Sequence, residues 1–339
     1  MKDKVEKQRR TTEARFSGGW TTYLGAMQGV LKAAGMGDFD LPRLAGMTGL
    51  GFHLIVEKGC CPSSVTVYDW LHEHLMAFDR VGVLSELYVA MPGDHTYEAA
   101  CRRAVPKVKA ALHRGVGVVV WGVDTAEFGV IYGYDDGDGV FLADGVGKWW
   151  SPAGSDPILY ENLGRSCEVP ILHCQIPVEQ VAYDPVETYR SSLEFYIAQM
   201  EKEYHDSPNY KSGLRAYENW HAALTGGGFN PLGVRYLTAV YCEAKELVAE
   251  YLRDLTKTWS LAGLPEIAGK FGEISGVYRA MMAALGQDFA EGGGFLGRPV
   301  TGDQAANLAK LVKEAKKLEE EAVALVKEAL AGAEAKSKE

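Results

Sequence analysis

The stretch Arg114-Gly115-Val116-Gly117-Val118-Val119-Val120-Trp121-Gly122-Val123, running on into Glu127-Phe128-Gly129-Val130-Ile131-Tyr132-Gly133-Tyr134-Asp135, decides the fold class. It is rich in β-branched and aromatic residues and bounded by glycine and aspartate, the composition of strands. Gly117–Trp121 and Phe128–Tyr134 are therefore expected as strands. Asp135-Asp136-Gly137-Asp138-Gly139 reads as a hairpin turn into a third strand, Gly139–Ala143, and Ile171–Ile176 as a fourth. The aspartates of that turn are turn formers, because a calcium loop would need a downstream Glu that is not placed for it.

Upstream of these strands the period changes. From Trp20 to Gly35 the spacing of Leu24, Met27, Gln28, Leu31 and Ala34 is helical, with Thr21 or Thr22 as N-cap and Gly35 as C-cap. Leu41–Met47, Val67–Val81 and Thr96–Arg114 are also helix-periodic. Helices followed by a small antiparallel sheet make an α+β domain. Past Asp184-Pro185 only helices are expected: Val186–Tyr204, Tyr210–Thr225, Pro231–Lys257, Pro265–Gln287 and Asp303–Ala331. Clusters such as Gly226-Gly227-Gly228 and Gly292-Gly293-Gly294 separate them. The predicted organisation is a flexible arm over 1–15, an α+β domain over 16–178, an all-helical domain over 185–331 and a disordered tail over 332–339.

Composition narrows the function classes. The 339 residues carry a net charge of −10, with 47% hydrophobic and 24% charged residues, values of a globular chain rather than a disordered or collagenous one. An acidic balance argues against a nucleic-acid partner, which calls for clustered Lys and Arg. No apolar run is long enough for a membrane span, and Met1-Lys2-Asp3-Lys4 opens no apolar signal core, so a cytoplasmic protein is expected. The six cysteines include no C-x-x-C pair, which removes the usual zinc-ribbon reading. His72-Glu73-His74 is spaced i,i+2, sending its rings to nearly opposite helix faces, so no shared metal is expected there. Gly46-Met47-Thr48-Gly49-Leu50-Gly51-Phe52 is not a dinucleotide fingerprint, since no strand leads into it and no long helix follows. No cofactor is implied.

The order of these elements resembles the papain-like cysteine peptidases of the double-glycine-leader kind, and more closely the butirosin-biosynthesis protein H N-terminal domain family. In that superfamily a nucleophilic Cys opens the first helix, a strand of the form H-x-V-V-V-x-G-Y-D carries the general base, and an Asp or Asn on the next strand orients it. The likeness covers about 20–178 through Thr22-to-Gly35, Leu44-to-Phe52 and the valine-rich strands. Counting back from Gly35 puts Thr22 at the Cys position, and counting back from Gly133-Tyr134-Asp135 puts Glu127 at the His position. Asp144 alone keeps its type.

That replacement matters chemically. A thiol of ordinary pKa about 8.5 becomes a thiolate beside an imidazole and a helix N-terminus, whereas an alcohol is far less acidic and a carboxylate of pKa near 4.3 is a weak base for it. Ordinary thiol-protease chemistry is therefore not expected. The leading expectation is a catalytically degenerate papain-like protein that binds a small molecule or peptide-like ligand in a cleft between its two domains. Trp20, His53, Trp121, Phe128 and Arg215 are its candidate ligand residues, and Trp149 and Trp150 are further aromatics near the cleft. The enzyme alternative is an acyltransferase or amidase using Thr22, Glu127 and Asp144, or a thiol of Cys60 or Cys61 with His53. A third reading is a structural or homo-oligomerising role through the helical half.

Overall fold

In the computed structural model, which describes residues 8–149, 151, 153–202 and 207–336, the valine-rich stretch lies at the centre of a sheet. In chain order the elements are β1 (Arg9–Thr11), α1 (Thr22–Ala34), α2 (Leu41–Met47), β2 (Ile55–Glu57), α3 (Trp70–Asp79), β3 (Val83–Ala90), α4 (Tyr97–His113), β4 (Val118–Trp121), β5 (Phe128–Asp135), β6 (Val140–Asp144), β7 (Ile158–Leu159) and β8 (Leu172–Gln180). There follow α5 (Pro185–Glu201), β9 (Tyr210–Ser212), α6 (Ala216–Gly226), α7 (Pro231–Thr258), α8 (Leu264–Ala284) and α9 (Gly302–Lys336). None of the described helices is long and apolar enough to cross a membrane.

Two compact units result. Residues up to Leu41 join Trp70–Tyr183, and Pro42–Asp69 joins everything from Asp184. The first unit is α+β. Its antiparallel sheet runs β3-β8-β4-β5-β6-β7, with β1 beside the far end of β5. Alternation sorts its side chains. Val118, Val120, Ile131, Leu172, Cys174 and Ile176 pack against Cys101, Ala104, Val108, Ala111 and Leu112 of α4, each fully buried aliphatic side chain contributing about 1.5–3 kcal/mol. The residues between them, including His173 and Gln175, face the opposite side, where Tyr23 of α1 and His74 of α3 meet them.

The second unit is built mainly from α5–α9, with β2 and β9 paired antiparallel. Its helix starts follow capping chemistry. Asp184 Oδ1 accepts the Val186 N–H at 2.8 Å and Asn230 Oδ1 the Gly233 N–H at 3.1 Å, with proline opening each helix. In its interior Lys245 Nζ lies 2.5 Å from Glu319 Oε1, both side chains fully buried, and Glu319 also accepts from the Tyr196 hydroxyl at 2.6 Å.

Several boundaries differ from the sequence reading. The segment 42–69, expected in the first domain, packs with the helical unit. That unit is not all-helical, because Tyr210–Ser212, expected as the start of a helix, is a strand. Within the expected arm, Arg9–Thr11 pairs with β5, and Thr12 and Ala14 are buried. The last helix extends to Lys336, so 332–336 are helical, and 337–339 lie outside the described residues. The eight-residue strand β3 has no counterpart in the sequence reading.

Candidate functional site

Thr22 is the first residue of α1, and Glu127 is the last residue before β5. A tight turn delivers Glu127: Gly122 (φ 86°) and Asp124 (φ 68°) take left-handed backbone, and the Glu127 carbonyl accepts the Gly122 N–H at 2.9 Å. A side chain at Gly122 would also meet Ser166 Oγ at 2.9 Å, so glycine is required twice over. Asp124 holds the turn from outside, its carboxylate accepting the Gly147 N–H at 2.7 Å and the Ser155 hydroxyl at 2.6 Å.

The two side chains meet where the start of α1 faces the start of β5. The Thr22 hydroxyl donates to Glu127 Oε2 at 2.7 Å and accepts the Phe128 N–H at 3.3 Å. Both residues are buried, Thr22 at 6% exposure and Glu127 at 8%. The proton of Thr22 is thus committed to the carboxylate, one of its lone pairs is committed to the backbone, and little of it reaches solvent.

Asp144 does different work. It ends β6 and accepts the Phe16 N–H at 2.9 Å, pinning the segment that leads into α1. The same segment is held by the Ser17 N–H on the Gly25 carbonyl at 3.2 Å and by Lys148 Nζ on the Phe16 carbonyl at 3.3 Å.

The candidate ligand residues are distributed over both units. Trp20 is buried with its ring 4.9 Å from that of Trp149. Trp121 donates its indole N–H to the Val169 carbonyl at 2.9 Å and packs with Phe128 and Trp70 in one buried aromatic cluster. In the helical unit His53 is buried and stacks on Tyr68 at 4.6 Å, and Arg215 is exposed just before α6. Trp150 lies outside the described residues.

Four of the thiols are held in their neutral form. Burial pushes Cys60 up to about 12 and also raises Cys167, Cys174 and Cys242, so these sulfurs stay protonated. Cys61 Sγ accepts a hydrogen bond from the Ser63 hydroxyl at 3.0 Å.

The sequence reading passed over one cluster. His74 Nδ1 and His173 Nε2 lie 2.8 Å apart in the interior, with Tyr23 stacked on His74 at 3.7 Å. The Tyr23 hydroxyl donates to Gln175 Oε1 at 2.6 Å, and Gln175 Nε2 donates to the His74 carbonyl and to Ser85 Oγ. His74 was visible in His72-Glu73-His74, where the inference of opposite faces holds, since His72 is exposed and His74 buried.

Comparison with protein-family models and with curated proteins finds no match to this chain. The site must be read from its own chemistry. An alcohol bonded to a carboxylate in a closed aromatic setting is a sound packing unit, whereas acyl transfer needs an exposed nucleophile and donors aimed at a developing oxyanion.

Proposed function

We propose that this chain is a papain-like protein that has kept the frame and given up hydrolysis, and that it acts as a binding protein for a small molecule or peptide-like ligand. The observation that supports this reading is the Thr22–Glu127 hydrogen bond. Two residues 105 positions apart, picked out only because they stand where a nucleophile and its base belong, bond to each other at 2.7 Å. Their identity and burial argue against turnover. Six free cysteines fit a cytoplasmic setting, where thiols stay reduced.

The test has two arms. The purified full-length chain is assayed against fluorogenic peptide and thioester substrates beside Thr22→Ala. The expected result is no turnover by either protein, with Thr22→Ala less stable by about 1–3 kcal/mol because Glu127 loses its donor. Turnover that Thr22→Ala abolishes would select the acyltransferase reading instead. Native mass spectrometry of the freshly purified chain is expected to reveal a co-purified small compound or peptide, and a bare chain throughout would count against the binding role.

A further inference from the structure

The helical unit contains a hollow of about 230 Å³ lined by Tyr217, Glu218 and His221 of α6 and Val312, Lys313 and Lys316 of α9. Its wall is mostly carbon and its rim is charged. Those charges do not cancel. Glu218 is engaged twice, by Lys211 Nζ at 2.9 Å and by Lys316 Nζ at 3.3 Å, and these hydrogen-bonded cations, Lys211 first, hold its carboxyl below the ordinary range. Lys313 has no carboxylate within salt-bridge distance among the described residues and remains as surplus positive charge. Burial, reinforced by the charge of Lys313, pulls the His221 pKa down, so that imidazole is neutral at neutral pH. The floor is fixed from below, since the Tyr217 hydroxyl shares a 2.8 Å hydrogen bond with that of Tyr278.

We propose that this hollow binds a small organic anion, a carboxylate carried on a single ring or a short branched chain, with the carboxylate on Lys313 and the apolar body against Tyr217 and Val312. Size and charge both point this way. Pockets for drug-sized ligands measure roughly 300–1,000 Å³, and this hollow is smaller, so a nucleotide or a folded peptide segment is too large for it. An apolar wall disfavours a bare inorganic anion, which would gain no contact to offset its lost hydration. The proposal rests on no feature of the Thr22–Glu127 centre and stands apart from the binding role given above.

Ligand-observed NMR and calorimetry on the full-length chain test it with three probes. Benzoate supplies both charge and ring, benzamide the ring alone and acetate the charge alone. Benzoate is expected to bind saturably at millimolar concentration, and benzamide and acetate more weakly. Lys313→Gln is expected to weaken benzoate about threefold or more, the scale of one partly exposed ion pair, without moving the melting temperature. Lys310→Gln, an exposed lysine of the same helix that does not line the hollow, controls for general charge and should leave affinity unchanged. Absence of saturable benzoate binding, equal binding of benzamide, or equal losses in the two lysine variants would each overturn the proposal.

Discussion

His173 sits fully buried on β8, with Nε2 against His74 and Nδ1 making no hydrogen bond of good geometry. Burial lowers its pKa to about 3, its own backbone offsetting this only in part. In the unfolded chain an imidazole titrates near 6.5, so the folded state resists a proton that the unfolded state accepts. The stability this represents is fully present above about pH 6.5 and is lost progressively as pH falls toward 3. At about 1.4 kcal/mol per unit, moving from pH 7 to pH 5 removes roughly 2 kcal/mol. Tyr23 of α1 and His74 of α3 face the ring, and neither offers a carboxylate to offset the charge. Urea unfolding at pH 7 and pH 5 checks this: the wild-type midpoint should fall more than that of His173→Gln, and an equal fall in the two proteins would refute it. Nothing local in the sequence announces this pair, because residues 99 positions apart meet only once β8 and α3 are assembled. Thr22 and Glu127 were within reach because each lies a fixed count from a mark of the resemblance, the glycine ending α1 and the Gly133-Tyr134-Asp135 run.

Helix α1 shows how an element is shaped by what crosses it. A Cβ at Gly25 would come within 2.0 Å of the Gly18 carbonyl oxygen, and one at Gly29 within 1.6 Å of that of Arg15. The two glycines, one turn apart, let the segment leading into the helix lie directly on it. In an open helix Gly→Ala stabilises by up to about 1 kcal/mol. At Gly29 the sign reverses, because backbone and not a flexible side chain must move, and Gly29→Ala should destabilise by roughly 1–3 kcal/mol. Thermal melts beside Gly272→Ala, a helical glycine of α8 with open space around it, separate steric conflict from propensity. The same level explains what sequence periodicity could and could not provide. Long helices such as α7 and α9 carry an apolar stripe over many turns, so their existence was readable, and the extent of α7 to within one residue, whereas α9 runs past the expected end at Ala331 to Lys336. The strand β3 was not, because it lies at the sheet edge with Leu84 and Glu86 exposed and a register shift at Leu84/Ser85, which blurs its alternation. In β9 only three residues pair, too few to register against the helical pattern of α6 that follows.

At the scale of the whole molecule the chain order and the unit order differ. Pro42–Asp69 belongs to the helical unit although more than a hundred residues of the other unit separate it from Asp184 in sequence. Its bonds there are specific. Strand β2 pairs with β9, the Tyr241 hydroxyl accepts the Ile55 N–H at 3.0 Å and donates to the Ile55 carbonyl, and Asn219 Nδ2 donates to the Val56 carbonyl at 2.8 Å. Phe52 is enclosed between the rings of Tyr196 and Phe271, a burial worth about 3 kcal/mol by itself. A cut at the boundary suggested by the end of the strand signals would therefore give a fragment, 184–339, that exposes this surface, strips the Tyr241 hydroxyl of both its bonds to Ile55 and leaves Asn219 Nδ2 only the Asn209 carbonyl. Such losses, at about 1–3 kcal/mol per unsatisfied group, are comparable with a typical folding margin of about 5–15 kcal/mol. The fragment is expected to show helical circular dichroism without a cooperative melt, and adding peptide 42–69 in trans should restore a cooperative melt whose midpoint rises with the logarithm of peptide concentration above its Kd, as linkage requires. A sharp melt of 184–339 alone, unchanged by the peptide, would mean that the helices close their core without this segment.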